Sequence, residues 1–182
     1  MEDQEVNFPY IFLDGPRERQ QLVDAIHQVR DEVIDIVNRL DADAWHEPRY
    51  HGWTPAALLG HLNLVDGLSL LALKLALLGI TPGISQQRWN RMNNFTARLF
   101  SRRVVPTTIE GIRKKEAAIE SFILQLPVSR YTREIFYPPY QQRLTLEQGV
   151  QALFLHHWQR HLQTMREVEG MEQPPEEQSD NG

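Results

Sequence analysis

The chain contains no cysteine, which excludes disulfides, thiolate zinc sites and a cysteine nucleophile together. The folded state must therefore rest on packing, and any metal must be held by nitrogen or oxygen. Basic charge is scarce: 19 Lys and Arg stand against 24 Asp and Glu, for a formal net charge of −5. Apart from the small cluster of Arg98, Arg102 and Arg103, nothing would gather phosphates, and no nucleic-acid partner is expected. The N-terminal MEDQEVNFPY has neither the basic start nor the apolar stretch of a signal peptide, so a cytoplasmic protein is expected. Long apolar runs are also missing. The longest, Leu68 to Ile80, is interrupted by Lys74 and falls short of the ~20 residues that cross a bilayer, so it reads as a buried helix with no membrane partner. No repeat of about 20–50 residues recurs, and no strand signal rivals the helical ones.

What remains is 182 residues with 41% hydrophobic content, enough for one sizeable core. The expected organisation is a single domain over residues 1–170 and a disordered tail over 171–182, because MEQPPEEQSDNG is acidic, proline-rich and poor in apolar residues. After Gly15-Pro16, the residues Leu22, Ile26, Val29, Val33, Ile36 and Leu40 recur at steps of three and four, predicting a long amphipathic helix. Thr54-Pro55 opens a second helix that runs to about Gly79, with Leu58, His61, Val65, Leu68, Ala72 and Leu75 facing inward. A short helix is expected over residues 86–103, carrying Trp89, Met92, Phe95, Leu99 and Phe100. Thr107 or Thr108 then caps a third long helix with Ile112, Ile119, Phe122, Ile123 and Leu126 on its core face, stopped by Pro127. Residues 128–143, with Pro138-Pro139 and three tyrosines, read as an ordered connection with a short extended piece.

Thr145-Leu-Glu-Gln148 fits a capping box for the last helix, which ends near Gly170. Its seam reads Leu146, Val150, Leu153, His157, His161 and then Met165 or Val168. The pattern is all-α: a four-helix bundle with a short extra helix in the long connection between helices 2 and 3. The leucines around the second helix exceed what one seam requires, which adds a homodimer to the expected partners.

The chemistry lies in His156-His157-Trp-Gln-Arg-His161. Residues four apart share one helix face, so His157 and His161 can reach one metal ion. His61 puts a third imidazole on the inner face of another, leucine-rich helix. Burying unpaired polar rings costs about 1–3 kcal/mol each, which favours a shared divalent metal; the other reading gives each ring its own backbone or water partner. Three neutral nitrogen ligands leave coordination places open, and imidazole suits zinc or nickel. Trp158 stands where the glutamate of His-Glu-x-x-His would be, so that route to peptide hydrolysis is not supported. His156 is assigned to the rim or to an outer supporting group, and His27, His46 and His51 to solvated or structural roles, with His51 able to reach a bundle end. Asp66 and Asn63 flank His61 and could orient a ligand ring, or face water.

These residues resemble the DinB/YfiT-like superfamily. The resemblance rests on Trp53-Thr-Pro-Ala-Ala-Leu-Leu-Gly-His61-Leu, on Arg88-Trp-Asn90, and on His157-Trp-Gln-Arg-His161. It implies a four-helix bundle with one divalent metal near one end, held by His61, His157 and His161. It also implies a metal-dependent enzyme acting on a small-molecule substrate, either as a transferase or isomerase with a low-molecular-weight thiol as cosubstrate or as a hydrolase. Tyr137, Tyr140 and Arg143 are candidate substrate contacts by position. The competing expectation is a non-catalytic bundle that binds a small molecule or a protein partner.

Overall fold

In a computed structural model, the structure describes residues 9–171. Beyond Met171, the expected tail lies outside the described residues. Three long helices are α1 (Pro16–Arg39), α2 (Pro55–Leu77) and α4 (Val105–Gln125), and the expected extra helix is α3 (Gln86–Phe100). The fourth rod is composite: α5 (Leu146–Gln151), a π-helical turn over Ala152–His156, and α6 (His157–Glu169). α1 packs on α4 and α6, while α2 packs on α3, α4 and α5. Consecutive helices α1 and α2 therefore lie across the bundle from each other, which the long polar connection after α1 permits.

Local chemistry explains most helix ends. Thr54 Oγ1 accepts from Ala57 N at 3.0 Å, with Pro55 pre-set for the first turn. Thr145 and Gln148 close the capping box reciprocally, at 3.2 and 3.1 Å. Gly170 ends α6 at φ 64°, a conformation glycine adopts without a Cβ penalty. The start of α4 differs from expectation. Its N-cap is Val104 rather than Thr107 or Thr108, because Pro106 occupies the first turn and Thr108 Oγ1 instead donates back to Val104 O at 2.9 Å.

The inner face of α2 also differs. Leu58, His61 and Val65 are buried as expected, but further along the inward residues are Asp66, Ser69, Leu70, Leu73 and Ala76. Leu68 and Leu71 are 43% and 55% exposed. Leucine on every side leaves the helical period without contrast, and here polar residues take the inside. By length and composition α2 is apolar enough to cross a membrane, although the Leu68 to Ile80 run alone is not; most of it is buried within the protein. At Gly60, a Cβ would meet Phe100 at 2.7 Å, so glycine is what lets α3 lie against α2 beside His61.

The extended piece is an antiparallel hairpin of β1 (Glu134–Tyr137) and β2 (Gln142–Thr145), with Ile135 opposite Leu144 and Tyr137 opposite Gln142. Ile135, Tyr137 and Leu144 turn into the core, which gathers in two clusters. One lies under the hairpin. The other, with Val33, Leu59, Leu62, Ile112, Trp158 and Leu162, backs the histidines.

Candidate metal centre

His61 comes from α2 and is 4% exposed, in a stretch where residues 55–63 are all buried. His157 and His161 come one turn apart from α6; the first is buried and the second half-buried. His157 Nε2 lies 3.3 Å from His61 Nε2 and 3.2 Å from His161 Nε2. One ligand atom from each ring falls within 4.8 Å of the other two. Two ligands of one tetrahedral ion, each bonded at about 2.0–2.1 Å, are about 3.3–3.4 Å apart. The two separations from His157 match that requirement without rearrangement, and the donor set of three imidazoles suits a borderline cation.

Electrostatics keep the rings neutral and able to donate lone pairs. Burial lowers His61 to about 4, helped by the positive charge of Arg160. Burial, His61 and Arg160 together lower His161 to about 3. His157 is pushed well below the ordinary histidine value by burial first and then by its two partner rings, Arg160 and Arg30. Among the described residues no other group of three or more His, Asp or Glu has this ligand spacing.

One tryptophan packs on the trio, and a second anchors the helix that carries two of its rings. The Trp53 ring meets His61 edge-on, with centroids 5.1 Å apart. It is placed by a tight turn in which Tyr50 pairs with Trp53 and His51 and Gly52 take φ 50° and 86°, the left-handed pair such turns require. The turn is tied to the end of α6, where Arg49 Nε donates to Glu169 Oε1 at 2.5 Å, Arg49 Nη2 to Glu169 Oε2 at 2.7 Å, and Tyr50 Oη to Oε1 at 2.9 Å. Arg49 holds the Glu169 carboxyl below its ordinary value.

Trp158, next to His157, is fully buried, and its Nε1 donates to Asp66 Oδ1 at 3.0 Å. Arg30 Nη2 donates to Asp66 Oδ2 at 3.0 Å, and both of these side chains are 0% exposed. The Arg30 guanidinium also lies 4.7 Å from the Trp158 ring centroid. Both roles expected for Asp66, orienting a ligand ring or facing water, are corrected: its carboxylate bonds Arg30 and Trp158 and so joins α1, α2 and α6 across the bundle. Burial pushes its carboxyl up, while Arg30 and the Trp158 indole pull it down. Asn63 accepts from Lys115 Nζ. His157 Nδ1 is buried without a hydrogen-bond partner, so packing, not a carboxylate, holds that ring.

The seam expected for the last helix, Leu146, Val150, Leu153, His157, His161 and Met165, is buried or half-buried throughout, and a π turn runs through it. A π turn holds about one residue more than an α turn, which rotates α6 relative to α5 by roughly 100°. Residues 149–154 and 156–158 are consequently all buried. Arg30 Nη1 donates to Phe154 O within this turn, at 3.4 Å, and to Ile26 O at 3.3 Å. Of the two seam candidates near the end, Met165 is buried and Val168 exposed.

The remaining histidines stay apart from the trio. His156 is buried with Nδ1 2.9 Å from Gln159 Oε1, His27 Nε2 is 3.5 Å from Glu120, and His46 Nδ1 is 3.0 Å from Ser101 O. His51 is different: with Tyr50, Trp53, Leu58, Arg160, His161 and Thr164 it lines a cavity of about 280 Å3. A larger hollow of about 350 Å3 lies between α1 and α6, but no histidine lines it. Tyr137 is buried beside Tyr140, rings stacked at 5.7 Å, and burial raises it to about 12 against the pull of Arg160. Arg143 pairs with Glu134 on the exposed face of the hairpin at 3.3 Å and does not line the cavity beside His161.

Residues 25–165 match the DinB superfamily. Among solved structures, YfiT from Bacillus subtilis, described as a probable metal-dependent hydrolase with an unusual four-helix bundle topology, superposes with a TM-score of 0.69. The match covers 92% of this chain and 95% of that one at 15% identity, a level at which it is the fold that is shared. No curated protein sequence matches the chain.

Proposed function

Since the chain belongs to the DinB superfamily, we propose that His61, His157 and His161 together hold one divalent metal ion, zinc or nickel, and that the protein uses it to act on a small molecule. The observation that carries this reading is the 3.3 Å separation of imidazole nitrogens from two different helices, His61 on α2 and His157 on α6, with His161 Nε2 3.2 Å from the same His157 nitrogen. Three neutral nitrogen ligands leave coordination places open, and a divalent ion so held lowers the pKa of a water or thiol entering them and polarises an electrophile.

The chain's own residues supply the rest. Trp53 and the Asp66-anchored Trp158 hold the ring positions, and the apolar core behind them excludes water on that side. The cavity beside His161 receives the substrate on the other. Hydrolysis of a small electrophile is the preferred reaction, since the structurally similar YfiT is described as a probable metal-dependent hydrolase; transfer of a low-molecular-weight thiol uses the same open places and is the second reaction to assay. Because Trp158 occupies the position of the glutamate in His-Glu-x-x-His, the proton acceptor of that motif is missing from α6.

The test is elemental analysis of protein purified without a histidine tag, beside a His157→Ala/His161→Ala variant. Roughly one metal per chain is expected in the first and none in the second. Equal content in both defeats the assignment.

A further inference from the structure

Arg160 sits between His157 and His161 in the sequence, and its positive charge acts on all three rings and on the Tyr137 hydroxyl. It lines the cavity beside His161 together with Tyr50, His51, Trp53, Leu58 and Thr164, and among the described residues no aspartate or glutamate lines that cavity. Other arginines near this end are neutralised: Arg49 by Glu169, Arg166 by Glu32, and Arg30 by Asp66. Among the described residues no carboxylate lies within ion-pair distance of Arg160. A lone guanidinium beside a trio that would hold a cation is electrostatically unfavourable on its own, because like charges repel most strongly where water is partly excluded. An anion between the two reverses the sign of both interactions. Apart from Thr164 and the imidazoles of His51 and His161, the rest of the lining, Tyr50, Trp53 and Leu58, is aromatic and aliphatic, and the volume of about 280 Å3 lies just below the ~300 Å3 at which ligand cavities usually start, so only a small molecule fits.

We propose that Arg160 is the anion anchor of this cavity, so that the substrate class is a small organic anion whose charged group meets Arg160 while its apolar body packs on Trp53, Tyr50 and Leu58. The guanidinium fork suits a carboxylate bidentately. This deepens the metal-enzyme reading and rests on it for its function, but its binding prediction can be measured separately.

The experiment titrates benzoate, benzamide and inorganic phosphate into the full-length protein by calorimetry, in zinc-loaded and chelator-treated forms, with Arg160→Gln and Arg160→Lys variants alongside. Arg160 is exposed, so neither change threatens the fold, and metal content is measured for each protein. Benzoate is expected to bind wild type and to lose about 10- to 100-fold in Arg160→Gln, as for a lost hydrogen bond to a charged group, with partial recovery in Arg160→Lys. Benzamide is expected to bind weakly and equally to all three. Equal benzoate affinity in wild type and Arg160→Gln, benzamide binding as well as benzoate, or Arg160-dependent binding of phosphate without benzoate would each overturn the proposal. Absent zinc with benzoate binding that still depends on Arg160 would sink the metal reading while upholding the anion anchor.

Discussion

Removing one member of the buried Arg30–Asp66 pair should be among the most damaging single changes this bundle can suffer. Both side chains are fully buried, 3.0 Å apart at Nη2 and Oδ2, and they connect two helices that lie across the core from each other. Asp66→Ala leaves the Arg30 charge in the interior without a counter-ion, at a cost of about 3–5 kcal/mol. It also strips the acceptor from Trp158 Nε1, a further cost of about 1–3 kcal/mol for an unsatisfied buried donor. Asp66→Asn keeps an oxygen for Trp158 and removes only the charge, so the two losses can be separated. The double change Arg30→Met/Asp66→Leu should cost much less than either single change, because no unpaired charge remains and burying ions is itself expensive. Against a total stability of about 5–15 kcal/mol for a domain of this kind, the single changes are large. The assay is urea unfolding of chelator-treated protein, with the m-value as a check that the transition keeps its character. Losses below about 1 kcal/mol for both Asp66 variants, or a double variant as unstable as the sum of the singles, would refute the reasoning.

Three further outcomes are expected. Free zinc at about 100 times its dissociation constant should stabilise wild type by about 2.7 kcal/mol and raise its melting point by roughly 5–10 °C; a melting point that ignores both zinc and chelator would favour a non-catalytic bundle. In metal-free protein, His61 is lowered from 6.5 to about 4, so the unfolded chain binds the extra proton between those values. Stability is then fully present above pH 6.5 and falls as the pH drops toward about 4, by about 3 kcal/mol from this ring alone; urea midpoints that do not fall over that window, or that fall equally in His61→Ala, would contradict it. Finally, the exposed Leu68, Leu71 and Leu78 on the outer side of α2 are proposed to form a homodimer surface, which Leu71→Glu should disrupt; sedimentation showing only monomer in wild type removes that proposal.

What the residues determined by themselves was local. The three- and four-residue steps of α1, the Thr54-Pro55 and Thr145–Gln148 helix starts and the Gly170 stop rest on short-range sterics and hydrogen bonds. A linear pattern carries that information directly. The i, i+4 spacing of His157 and His161 and the lone His61 on a leucine helix pointed to the ring positions for the same reason. Tertiary structure alone decided which side of α2 is inside. It also decided that Arg30 and Asp66 meet, that the last helix carries a π turn, and that Arg160 overlooks the cavity with no carboxylate of the described residues beside it. Charged residues read as solvent-facing until a partner distant in sequence is brought to them. The one available hint was opposite charges on the inner sides of two otherwise apolar helices. An all-leucine surface has no polar face to orient it, so only packing against α3, α4 and α5 chooses its inward stripe.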